Sequence, residues 1–168
     1  MKKFILTDET IEMFGVTLHR IKAVRSFGNV KEGDLGGFVE KEENISEDLE
    51  AWVSGDAIVW GNAKVWGNAE VSGNAKVSGD AEVWGNAIVS GDADYIVFKN
   101  WWSSGRYFTW TRSNNMWSVG CFYGTGEELI KKAYADSEKS GREYERVVKF
   151  VQSISEDEKN DNNQEKHV

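Results

Sequence analysis

The side chains that could act as a base or a nucleophile are few: two histidines, His19 and His167, and one cysteine, Cys121. A general base has to reach the proton it removes. His19 falls in an alternating stretch near the N-terminus, where a half-exposed strand residue is expected, and His167 falls in a polar tail. Cys121 stands between Gly120 and Phe122 with no histidine nearby in sequence. A reactive thiol needs a cation or a helix N-terminus to lower its pKa, and the reading here is a small buried thiol in a strand. One cysteine excludes an internal disulfide framework and a cysteine-cluster metal site. Gly124-Thr125-Gly126 could cradle a phosphate on its backbone N–H groups, but it reads first as a helix cap. No catalytic residue, metal or cofactor is assigned.

Tryptophan is the stronger signal, with eight in 168 residues. Trp60, Trp66 and Trp84 are expected to point outward, and Trp101, Trp102, Trp110 and Trp117 to crowd a C-terminal unit. Exposed aromatic surface marks interaction sites, and tryptophan is enriched at their energetic centres. These seven are the candidate binding or interface residues.

What positions the first three is a repeat. Residues 51–92 read AWVSGD AIVWGN AKVWGN AEVSGN AKVSGD AEVWGN AIVSGD, hexapeptides without insertion. A fixed period of this kind sets the architecture. Ala and Val alternate with outward positions, and each Gly-Asn or Gly-Asp is turn chemistry. Each unit is one short strand and one corner. Keeping every Ala and Val on one side requires a chain that winds steadily in one direction. Residues eighteen apart then stack, Val53 on Val71, Trp66 on Trp84 and Lys64 on Glu82. The hexapeptide resembles that of left-handed β-helix proteins, and the handedness and three-sided section are what that resemblance implies.

The flanks read as follows. Residues 3–7 and 16–24 alternate as strands joined through Asp8–Gly15, with a bulge allowed by the spacing of Val16, Leu18 and Ile21. Together with the turn-rich Gly28–Val39 segment they form a cap, 1–44, over the open end of the repeats, 45–94. Beyond Asp94, stretches 95–98, 107–111 and 116–119 are strands. Thr125 with Glu128 forms a capping box for a helix to about Ala135. A second helix follows Ser140-Gly141, burying Tyr144, Val147, Val148 and Val151. This unit spans 95–154, and an acidic disordered tail spans 155–168. The fold class is mainly β: a short left-handed parallel β-helix with an N-terminal β cap and a C-terminal α+β appendage.

LHRIKAVRSFGNVKEGDLGGFVEKEENIS followed by hexapeptides, with GDLGGFVE at 33–40 the most distinctive part, resembles the opening of a group of bacteriophage and prophage hexapeptide-repeat proteins described as transferase-like. GCFYGTGEEL within 95–152 is similar to the end of several of them. The resemblance implies counter-defence: binding and blocking a bacterial immune protein or a nucleotide signal. Two alternatives are an acyltransferase using acyl-CoA and a virion or scaffold protein. The related acyltransferases carry their base on a loop off the coils, and no loop interrupts residues 51–92. Such helices commonly assemble as homotrimers, which is expected here through the tryptophan faces.

Charge and hydropathy bound the rest. The net charge is −8, and residues 40–50 hold six acids against one base. No basic stripe stands out, so nucleic acid is an unlikely partner. No apolar run approaches the length of a membrane span, the first apolar stretch is too short for a signal peptide, and the expected location is the host cytoplasm.

Overall fold

The structure, a computed structural model, describes residues 2–102 and 104–165, with side chains described as far as residue 156. In every hexapeptide the alanine and the valine point inward. Each of them, from Ala51 to Val89, is 0% exposed. The strands are two residues long and pair in parallel. Trp52–Val53 (β4), Glu70–Val71 (β7) and Ile88–Val89 (β10) stack as one wall; Ile58–Val59 (β5) and Lys76–Val77 (β8) as a second; Lys64–Val65 (β6) and Glu82–Val83 (β9) as a third. Val53 faces Val71 and Val71 faces Val89, the eighteen-residue register expected. Corner glycines 55, 61, 67, 73, 79 and 85 have φ between 61° and 71°. That left-handed region costs other residues roughly 1 kcal/mol or more, which is why each unit carries glycine there.

The first turn of the winding is not built from hexapeptides. Leu35–Val39 (β3) pairs in parallel with β5, Phe38 opposite Ile58, and Ile45 bridges to Val65. Pairing with the repeats thus begins at Phe38, inside the segment expected as cap. Gly36 and Gly37, both buried, allow it by lying flat on the next turn of chain. Buried Asn44 closes the third wall, its amide donating to the carbonyls of Gly61 (3.2 Å) and Ala63 (2.8 Å).

The cap itself is the hairpin of Phe4–Met13 (β1) and Val16–Ala23 (β2), antiparallel to β3. The sequence stops the first strand at Thr7, but pairing resumes at Thr10 after a register shift past Asp8 and Glu9. Polar residues are tolerated there because β1 is a sheet edge. Phe4, Ile21 and Ala23 plug the end of the alanine–valine core.

Lys3 lies in this plug, fully buried, its ammonium donating to the carbonyls of Ala51 (2.8 Å) and Leu49 (3.4 Å). Burial holds its pKa down at about 8, against the opposing pull of Glu47; Arg25 lowers it further, and Asp48 and Glu50 raise it. Unfolding returns this group to its ordinary 10.5. From about pH 8 upward the unfolded chain holds a proton that the folded chain releases, so stability rises with pH. Urea midpoints are expected to increase between about pH 8 and 9.5, below the tyrosine range. The increase is expected to vanish in Lys3→Met.

At the other end the chain folds back as an antiparallel sheet, Tyr95–Lys99 (β11), Tyr107–Thr111 (β12), Met116–Val119 (β13) and Phe122–Gly124 (β14). The fourth strand was not expected; it forms because Gly120, at φ 59°, makes a two-residue turn with Cys121. One face of the sheet packs on Gly126–Asp136 (α1) and Glu138–Glu165 (α2), burying Phe108, Trp110, Trp117 and Val119 with Leu129, Val148 and Val151. The other face closes the last turn of the solenoid. Thr109 accepts from Glu82 N–H (2.9 Å) and Ser113 from Ile88 N–H (2.7 Å). The Tyr95 hydroxyl donates to the Lys76 carbonyl (2.8 Å), and that of Tyr123 to the Trp84 carbonyl (3.3 Å). Asp92 and Asp94, at the exit from the repeats, accept from Lys76 and Ser90 N–H. Backbone groups on all three walls that would otherwise form an open edge are thereby satisfied.

The capping box forms as expected, Thr125 Oγ1 accepting from Glu128 N–H and Glu128 from Thr125 N–H. The bonds that the Thr125 N–H and hydroxyl donate to the Glu128 carboxylate hold it below its ordinary range. The second helix starts earlier than expected, at Glu138, with Ser137 Oγ accepting from Ser140 N–H (3.1 Å). Gly141 is inside it because any larger residue would strike the Tyr134 ring of α1. Where a disordered tail was expected from Ser155, the backbone stays helical to Glu165. Residues 155–165 contain neither proline nor glycine to end a helix. Val168, the last of the tail, and its two neighbours lie outside the described residues.

Candidate recognition surface

The structure separates the seven tryptophans into four groups. Trp110 and Trp117, expected on a binding surface, are core residues, 5% and 2% exposed. Their strands alternate toward the helices, and Phe98 and Phe108 stand edge-on to Trp117 at 6.4 Å. Trp60 points outward but is half-buried, stacked at 5.5 Å on Phe14 at the tip of the hairpin. Trp101 and Trp102 occupy the β11–β12 loop, edge-on at 5.9 Å, with Trp101 80% exposed.

Trp66 and Trp84 make the fourth group, on the β6–β9 wall. They are outward residues in consecutive turns, so the register brings their rings to 6.0 Å. Tyr123 continues the row, 5.1 Å from Trp84. Its phenol is raised above its ordinary range by burial, with a hydrogen bond from Asn114 acting against that. The appendage therefore covers the Trp84 end of the row and leaves Trp66 38% exposed.

Lys64 lies opposite Glu82 in the register, as expected. The two nevertheless turn apart. The Lys64 ammonium sits 5.0 Å over the Trp66 ring, and Glu82 accepts from the Ser118 hydroxyl at 2.8 Å. A cation held over an indole in this way is stabilised by about 0.5–1 kcal/mol at an exposed site. Asn62 bonds to Asp80 and Asn68 to Asn86 along the two corners that border the wall. The result is an aromatic row with a cation over one ring and amide ladders at its margins.

The nucleophile and base candidates fall elsewhere. His19 is half-buried as expected, its Nδ1 3.2 Å from the Thr7 carbonyl. Cys121 is not the buried strand thiol expected; the Gly120 turn places it at a hairpin tip, exposed. His167 lies outside the described residues. Among the described residues no group of three or more His, Cys, Asp or Glu is placed to hold a metal ion, and no helix is long and apolar enough to cross a membrane.

Sequence reasoning missed Tyr123 and its role in the row. Its only signal was position: it stands two residues beyond Cys121 in a strand that the turn chemistry of Gly120 could have revealed. Neither a protein-family model nor a curated protein matches the chain.

Proposed function

We propose that this chain is a phage-type binding protein that acts without chemistry, a counter-defence inhibitor of a bacterial immune component, and that its repeats form a left-handed β-helix. The observation that carries the reading is the partly exposed row Trp66–Trp84–Tyr123 on a wall whose strands pair in parallel from turn to turn. Such a wall is rigid, and a rigid aromatic surface binds with little loss of conformational freedom. The solenoid is closed at both ends by dedicated caps, which leaves its side walls as the surfaces on offer. The resemblance of GDLGGFVE and GCFYGTGEEL to phage and prophage proteins supports a target in the host cell.

The test is affinity capture from the native host with the wild-type chain and with Trp66→Ala, followed by measurement of the captured molecule in purified form. Trp66 is already partly in solvent, so the variant is expected to melt within a few degrees of wild type. Its affinity for the target is expected to fall by at least tenfold, a typical loss for a central tryptophan. Recovery of neither a protein nor a nucleotide, or equal binding by Trp66→Ala, overturns the proposal.

A further inference from the structure

Away from the aromatic row, a cavity of about 310 Å³ opens between the β13–β14 turn and α1. Its floor is apolar: Val119, Leu129 and Tyr144 are 1%, 2% and 7% exposed. Its rim carries Arg106, Lys132 and Asp136, with Cys121 beside them.

Among the described residues no carboxylate pairs with either cation. Arg106 runs along Gly120, its Cδ and Nε 3.6 and 3.8 Å from where a β-carbon would stand. Lys132 holds its ammonium 5.7 Å from the centre of the Phe122 ring. Among the described residues neither Arg106 nor Lys132 forms an ion pair. Asp136, also without an ion pair among the described residues, ends α1, where the helix dipole disfavours an acid. The rim therefore presents two positive charges and one negative over a dry floor.

We propose that this cavity binds a small organic phosphate, with Arg106 and Lys132 on the phosphate and the organic body on the Val119, Leu129 and Tyr144 floor. A phosphate dianion matches two cations, and Arg offers it a planar fork of donors. The volume lies at the lower end of ligand-sized pockets and suits one nucleotide-sized molecule. Asp136 faces the same space and selects against a second anionic group while accepting an amine. This site is distinct from the aromatic row and stands or falls independently of it.

Cys121 supplies the readout, because a ligand in the cavity shields the thiol. The rate of alkylation by neutral iodoacetamide is measured on the full chain by mass spectrometry, alone and with AMP, adenosine or inorganic phosphate. Calorimetric titration of the same three compounds is the second measurement. AMP is expected to slow alkylation several-fold and to bind measurably, and adenosine to do neither. Arg106→Gln and Lys132→Gln are each expected to weaken AMP by about tenfold, with unchanged melting temperature. An effect of inorganic phosphate but not of AMP overturns the organic body. Equal effects of adenosine and AMP overturn the phosphate. No heat and no protection with any of the three, or unchanged AMP binding in both variants, overturns the site.

Discussion

Gly37→Ala is expected to lower the unfolding free energy by roughly 3 kcal/mol, or to prevent folding altogether. A β-carbon at Gly37 would run into the Ala57 carbonyl oxygen and stand 2.7 Å from Val53 Cγ1. The first obstacle is backbone, and that oxygen already accepts the Phe38 N–H at 2.9 Å. It cannot move without breaking the parallel bridge that joins the non-repeat turn to the hexapeptides. Gly36 is constrained in the same way: a β-carbon there would stand 2.5 Å from both Ile21 Cγ1 and the Val53 carbonyl oxygen. The control is Gly91→Ala. Gly91 is extended at φ −152°, and a β-carbon there meets only Asp94 Oδ2 at 4.0 Å. Its denaturation midpoint is expected to stay close to wild type. Equal midpoints for Gly37→Ala and Gly91→Ala would refute this account of the double glycine.

Trp117→Ala is expected to destabilise the C-terminal unit by about 3–5 kcal/mol, the range for removing a buried large aromatic. Trp117 is 2% exposed and sits against Phe98, Phe108 and the start of α1, where Gly126 leaves room for the indole nitrogen. The effect reaches beyond the unit itself. When its sheet melts, Glu82 and Ile88 lose the hydroxyls that accept their N–H groups, and the last turn of the solenoid becomes an open edge. Open edges pair with one another. The variant is therefore expected to lose helical circular dichroism at a lower temperature than wild type and to form higher oligomers as it does. Light scattering across the transition checks the second part, and a variant that stays at its starting mass would show that the solenoid end needs no cover. Trp66→Ala, by contrast, is expected to leave both transitions in place.

That contrast shows how far tryptophan could be interpreted from sequence. The hexapeptide period places Trp66 and Trp84 outside, because Ala and Val already occupy the inward positions and strand alternation permits nothing else. No equivalent period governs residues 95–124. Trp110 and Trp117 alternate with Thr109, Thr111 and Ser118, and the sequence alone does not say which face is dry. Both faces turn out to be buried, one against helices and one against backbone that needs hydroxyl partners.

The sequence by itself determined the winding, its eighteen-residue register, the inward core and the capping box at Thr125, because each follows from a local pattern that one strand and one corner, or one helix turn, can satisfy. Only the tertiary structure decided that Phe38 joins the first turn, that Lys64 leaves Glu82 for Trp66, that Cys121 is exposed, and that Tyr123 joins the aromatic row. Those depend on contacts between segments far apart in the chain, where packing and unsatisfied backbone groups outweigh the preferences of any single residue.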